Sequence, residues 1–280
     1  MANVTYDRYS QSELDAQYDT SKPLPDGNVG AYFEAFDAAS VRARAMLRSE
    51  CDLRYGVHER ATFDFFPAAR PGAPLFVWVH GGYWRRLSKS YFSYIAVPIV
   101  EAGGAVAVLN YPLAPGPSLD EIVDSVGRGY ARALEHAAER GVDVTQTFVG
   151  GHSVGAQLAA TILARNAVRG ALVISGLYDL EPIRRSYVNE WIAMDAASAR
   201  RNSPIHLSPR ANSPLVAAVG GLEQAEFQRQ QHLYVEAWRA WGGAAREIAA
   251  PNHDHFSIAL ELANAGSALT RALLEMMSLG

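Results

Sequence analysis

The sequence predicts an α/β fold, a mostly parallel, doubly wound sheet with a small cap insert over one end. Three observations lead there. Six short apolar runs, at 74–80, 104–111, 146–151, 171–176, 214–221 and 244–250, are mostly continuous in hydrophobicity, as strands covered on both faces are. Helix-like stretches at 87–102, 119–140, 154–166, 224–241 and 255–277 separate or follow them, and strands alternating with helices imply parallel pairing through right-handed crossovers. One irregular stretch, about 181–210, interrupts the alternation and reads as the cap.

The elements follow in order from the N-terminus. A polar arm, about 1–30, ends in the Pro- and Gly-rich loop "SKPLPDGNVG", and a helix follows at about 31–48. "PLFVWVH" gives the first predicted strand and runs into the glycine turn "HGGYW"; "GAVAVLNY" gives the second. "QTFVGG" gives the third, followed by a glycine-flanked serine and an alanine-rich helix in "GHSVGAQLAA". "ALVISG" and "PLVAAVGG" bracket the cap, and the last strand, "AAREIAA", leads into "PNHDHF" and the final helix. No repeat or linker divides residues 1–280, so one domain is expected.

A chain of 280 residues, 49% hydrophobic and 19% charged, can bury a core that needs no staples. A net charge of -4 gives no electrostatic reason to expect nucleic acid or an anionic membrane as partner. Cys51 is the only cysteine, which excludes an intrachain disulfide and a cysteine metal set. The N-terminus lacks a basic-then-apolar signal, and no apolar run approaches the roughly 20 residues that span a bilayer. A cytoplasmic protein is expected, with a homodimer left open.

Ligands bind at the carboxyl ends of parallel strands, so the loops there hold the candidate chemistry. Ser153 stands two residues from Gly151 and from Gly155. A sharp strand-to-helix turn crowds the residues flanking the serine and presents its hydroxyl above the sheet. Gly81 and Gly82 let the backbone turn so that the N–H groups of Gly82 and Tyr83, with that of Val154, can face an oxyanion. A serine hydroxyl also needs a base and a group that orients it, in the order serine, acid, histidine on such sheets. His255 follows the last strand and opens the final helix, with His253 as the reserve. Glu223 follows the preceding strand as the acid, with Glu226 and Asp179 as alternatives; Asp254 is too close to the histidine in sequence to face it. His80 and His152 belong to the glycine turns, and no metal-ligand spacing occurs.

Together "HGGYW", "GHSVGA", "SGLYDLEPI", "EFQRQ" and "DHF" resemble the kynurenine formamidase (arylformamidase) family of α/β-hydrolases, from "LDAQYD" through the final helix. The resemblance implies an α/β-hydrolase fold, Ser153 as nucleophile, His255 as base and the amides of Gly82 and Tyr83 as oxyanion donors. The family's acid is usually aspartate in a segment like "DSPEF"; here "EQAEF" places Glu223 there. It further implies metal- and cofactor-free hydrolysis of an N-formyl or small N-acyl aryl amine. Tyr83, Trp84, Tyr111, Tyr178, Tyr187 and Trp191 lie on loops or cap where they could wall an aromatic pocket. Arg184 and Arg185 could meet a substrate carboxylate. A carboxylesterase using the same residues, and a non-catalytic binding protein on the same scaffold, are the competing readings.

Overall fold

The computed structural model describes residues 6–24 and 26–280; the first five residues of the arm, and Pro25 in its loop, lie outside the described residues. In chain order, α1 (Gln11–Tyr18) and α2 (Val29–Met46) precede β1 (Glu50–Arg54), β2 (Thr62–Phe66) and β3 (Leu75–Val79). There follow α3 (Ala96–Glu101), β4 (Ala105–Leu109), α4 (Leu119–Glu139), β5 (Thr147–His152), α5 (Val154–Arg165) and β6 (Gly170–Ile174). The cap holds α6 (Glu181–Arg184), α7 (Asn189–Ile192) and α8 (Ala196–Arg201), and the chain closes with β7 (Leu215–Gly220), α9 (Ala225–Ala240), β8 (Ala245–Ala250), α10 (Ser257–Leu260) and α11 (Ala268–Met276).

The eight strands form one sheet in the order β1-β2-β4-β3-β5-β6-β7-β8. From β4 through β8 every neighbouring pair is parallel, and β2 runs antiparallel to both β1 and β4. In β3, Leu75, Val77 and Val79 face one core while Phe76 and Trp78 face the other. The first core takes α4, α5 and α9; the second takes α2, α3 and α11. All six predicted strands are present, and the continuous apolar runs have the double burial expected of them.

Several expectations need correction. The edge pair β1 and β2 adds two strands to the six expected; "ECDLR" is largely exposed and "TFDFF" carries a charge in its middle, so neither has the pattern of a buried strand. That charge, Asp64, is buried with its carboxylate 2.6 Å from the Lys89 ammonium, which neutralises it. The helix expected at 87–102 is two 3₁₀ turns, Lys89–Tyr91 and Ser93–Ile95, leading into the short α3. The helix expected at 255–277 is broken: α10 passes into a 3₁₀ turn, and Ser267 caps a new start at α11.

The arm is likewise more than a polar lead. Ser10 and Glu13 form a reciprocal capping box that starts α1, and α1 buries Leu14 and Tyr18. The Tyr18 hydroxyl donates to Glu226 at 2.8 Å, and Asp15 accepts the Tyr187 amide of the cap at 2.7 Å. The arm therefore straps the cap to the end of the sheet where the strands finish.

Candidate active site

Ser153 sits between β5 and α5 with φ 58° and ψ -128°, in backbone space that a residue with a side chain adopts only when the surroundings enforce it. They do so by crowding. A Cβ at Gly151 would overlap the backbone of Gly155, and one at Gly155 would overlap the carbonyls of Val79 and His80. This turn starts α5 at Val154, whose amide is among the four N–H groups that a helix start leaves without a helical acceptor. The facing turn is tight as well: Gly82 has φ 114°, and a Cβ there would overlap the Arg86 carbonyl. Among the described residues no acceptor takes the amides of Gly82 or Tyr83.

His255 and Glu223 form a buried pair. The imidazole Nδ1–H donates to Glu223 Oε2 at 2.6 Å, with the Glu223 side chain fully buried and that of His255 4% exposed. Glu223 Oε1 accepts from the Ser175 hydroxyl at 2.5 Å and the Gly220 amide at 2.7 Å. With Nδ1 committed to the carboxylate, Nε2 is the nitrogen left to exchange protons. Ser153, His255, Gly82 and Tyr83 line one small cavity, of about 20 Å³. No hydrogen bond joins the Ser153 hydroxyl to the imidazole; such contacts are commonly loose before substrate tightens them.

The rival residues are engaged elsewhere. Glu226 accepts from Arg229 Nε and Nη2, and Asp179 lies 3.7 Å from the same guanidinium, where burial pushes its carboxyl above the usual range. His253 faces Glu261 at 4.0 Å. Asp254 caps the turn after His255 by accepting the amides of Phe256 and Ser257, and takes the Tyr32 hydroxyl at 2.6 Å.

Of the six aromatics expected at a pocket, Tyr83, Tyr187 and Trp191 line a second cavity of about 280 Å³ beside the first. Trp84, Tyr111 and Tyr178 instead lie fully buried in the core. Each has a packing role there: the Trp84 indole donates to Gln157 at 3.3 Å, Tyr111 donates to the His80 carbonyl at 2.9 Å, and Tyr178 stacks on Tyr234. Arg184 and Arg185 are also corrected. Both guanidiniums are bound to Glu181, and Arg185 also to Asp7, so neither is free for a substrate.

Four further features of the site appear only in the folded chain. His152 is buried and donates Nε2–H to the His255 carbonyl at 2.7 Å, tying the serine turn to the histidine loop; burial holds its pKa well below the usual value, so the ring is neutral. Ser175 holds Glu223. Thr20, from the arm, lines both cavities. Arg85 and Arg86, next to the glycine turn, line the larger one. Only the last had a visible signal, two arginines directly after "HGGYW". Among the described residues, no three His, Cys, Asp or Glu side chains gather as a metal site, and no helix is long and apolar enough to cross a membrane.

A parallel sheet with a serine on its strained strand-to-helix turn, and an imidazole and carboxylate converging from the last two strands, defines an α/β-hydrolase; a family model of the α/β hydrolase fold matches residues 76–258. The chain is 31% identical to the kynurenine formamidase of Danio rerio, over 96% of this chain and 97% of that one. A crystal structure from Silicibacter sp. TM1040, provisionally described as a thioesterase, matches with a TM-score of 0.83 and 31% identity, over 92% of this chain and 98% of that one. EstE1, a thermophilic carboxylesterase cloned from a metagenomic library, shares the fold at a TM-score of 0.71 and 18% identity, over 97% and 98% of the two chains. The chain belongs to the kynurenine formamidase family of α/β-hydrolases, and is a hydrolase.

Proposed function

We propose that this enzyme hydrolyses the amide bond of an N-formylated aryl amine, using Ser153 as nucleophile. His255 Nε2 takes the hydroxyl proton as Ser153 Oγ attacks the formyl carbon. Glu223 holds the imidazole by Nδ1 and stabilises its charged form. The oxyanion is met by the amides of Gly82, Tyr83 and Val154, each such donor being worth about 2.7 to 4 kcal/mol in the transition state. The charged imidazole then protonates the aryl amine nitrogen as the C–N bond breaks, leaving a formyl ester on Ser153. Water, deprotonated by the same nitrogen, releases formate and restores the serine.

The observation that carries this reading is the size of the space at Ser153. About 20 Å³ is a small space, room for one or a few water molecules. A hydrogen on the acyl carbon fits such a space; a methyl or longer chain must displace the walls, which include His152, Phe36 and Phe256. The larger cavity beside it is left for the amine portion. The kinship with kynurenine formamidases supports the same substrate class.

The test compares kcat/KM for N-formyl, N-acetyl and N-butyryl forms of one aryl amine, with phenyl formate and phenyl acetate alongside. The formyl amide is expected to exceed the acetyl amide by 10-fold or more, since an overpacked methylene costs roughly 1–3 kcal/mol. Acetyl or butyryl amides turned over as fast as formyl would overturn the formyl reading. Turnover confined to esters would replace it with a carboxylesterase.

A further inference from the structure

Gln157 stands four residues after Ser153, one turn along α5, and is fully buried. Its backbone amide donates to the Ser153 carbonyl at 3.3 Å, so it belongs to the turn that presents the nucleophile. Its side chain ties two other parts of the molecule to that helix. Oε1 accepts the Trp84 indole N–H at 3.3 Å, and Nε2 donates at 2.9 Å to the carbonyl of Asn202, where the cap helix α8 ends. An indole only donates and a carbonyl only accepts, so a single orientation of the carboxamide serves both. Among the described residues the indole and that carbonyl have no other partner.

The link matters because of what precedes Trp84. Gly82, Tyr83 and Trp84 have φ 114°, 50° and 57°, three successive residues in the left-handed region. Two of them carry side chains, so the turn keeps this shape only where its surroundings hold it. The Tyr83 hydroxyl donates to the Tyr18 carbonyl at 2.6 Å, the Trp84 carbonyl accepts the Ala114 amide at 2.8 Å, and the indole reaches Gln157. Of these three bonds, the last alone leads to α5. It therefore joins the two halves of one anion site, the amides of Gly82 and Tyr83 on this turn and that of Val154 at the start of the helix.

We propose that Gln157 is a positioning residue of the oxyanion hole, holding the amides of Gly82 and Tyr83 in register with Ser153 and Val154 through Trp84. The proposal rests on the reading of those amides as oxyanion donors, and is independent of which acyl group or amine is bound. The second bond of Gln157 sets the cap against the same helix, where the Asn202 side chain and Arg201 both donate to Asp120 at 2.7 Å. The two bonds act on different quantities. The bond to Trp84 serves the transition state and so kcat, whereas the bond to Asn202 holds the cap, whose Tyr187 and Trp191 wall the larger cavity, and so KM.

Two variants separate these contributions on the formyl amide, with circular dichroism verifying the fold. Trp84→Phe removes the indole N–H and leaves the bond to Asn202. Its kcat should fall roughly 10- to 100-fold with KM unchanged, since a misplacement of about 1 Å costs on the order of 100-fold. Gln157→Met keeps the length of the side chain and loses both bonds, so its kcat should fall as far while KM rises. The double variant should have a kcat no lower than the lower single, because both changes break one bond. Gln157→Glu supplies the rescue: burial favours the neutral carboxyl, which offers the same acceptor and donor as the amide, and at about pH 6 most of kcat should return. Losses that multiply in the double variant, a Trp84→Phe change confined to KM, or a Gln157→Glu enzyme as slow as Gln157→Met at that pH would each overturn the proposal. If Gln157→Met does not fold, Trp84→Phe and Gln157→Glu carry the test. Gly82→Ala distinguishes the two readings. At the parent rate it ends the oxyanion assignment and this proposal with it, whereas a slow Gly82→Ala beside a Trp84→Phe enzyme at the parent rate overturns the positioning role alone.

Discussion

Replacing Glu223 with glutamine changes one atom of a fully buried group and has a consequence that can be worked out from its partners. Oε1 accepts from Ser175 Oγ and from the Gly220 amide, and Oε2 accepts from His255 Nδ1. In Glu223→Gln an NH₂ group must replace one of these oxygens. At Oε1 it would point at the Gly220 N–H, leaving a buried donor unsatisfied at about 1–3 kcal/mol. The amide therefore turns its NH₂ toward His255, which can accept only by moving its proton to Nε2. An imidazole protonated on Nε2 cannot take the proton of Ser153. Loss of the correct tautomer costs on the order of 10⁴ in kcat, or about 5.5 kcal/mol, with KM changed little. Glu223→Asp keeps the charge but withdraws it by one methylene, and should fall between the parent and the glutamine variant. Steady-state kinetics on the formyl amide checks this, with circular dichroism verifying the fold. A Glu223→Gln enzyme within 10-fold of the parent would refute the assignment of Glu223 as the orienting acid.

Other outcomes follow from the same geometry. Gly82→Ala places a methyl group against the Arg86 carbonyl at a φ of 114°, so the turn must move; kcat/KM should fall by roughly 100-fold or more as its oxyanion donors shift. Parent activity in that variant would show that this turn does not serve the reaction. His152 is held neutral by burial, with its pKa depressed, so the unfolded chain takes up its proton first as pH falls. Its contribution to stability is complete above the reference value of 6.5 and is lost as pH drops below it. Urea midpoints at pH 7.5 and 5.5 should therefore separate less in His152→Leu than in the parent, and an unchanged separation would contradict this. The same variant orphans the His255 carbonyl, and its kcat should fall while KM holds.

The sequence carried the central sheet because five of its six parallel strands, β3 to β7, are buried on both faces and read as nearly unbroken apolar runs; β8, at the edge with Arg246 and Glu247 exposed, is the exception. It lost the antiparallel edge where the strand is largely exposed, in β1, or where a buried ion pair such as Lys89 with Asp64 puts charge inside a strand, in β2. Helix lengths failed at 255–277 because nothing in a hydrophobic period registers the turn at 261–267 that splits α10 from α11. The serine turn was legible because steric crowding there admits only glycine at fixed spacing. The partners of Glu223 were not: Ser175 is 48 residues away, and its role exists only once β6 and β7 are adjacent. Arginines show the same limit. Arg184 and Arg185 stood out on the cap yet are consumed by Glu181, while Arg85 and Arg86 sit in the cavity unpaired among the described residues.

The most direct test of the central claim is covalent labelling by a fluorophosphonate, which reacts with a serine only where a base activates it and amides receive the oxyanion. Intact mass should rise by one adduct per chain in step with loss of formamidase activity, and peptide mapping should place it on Ser153. Ser153→Ala should take no adduct and lose activity by about a millionfold in kcat, and His255→Ala should react far more slowly. An adduct on a different serine, or a Ser153→Ala enzyme that turns over substrate at the parent rate, would contradict the account.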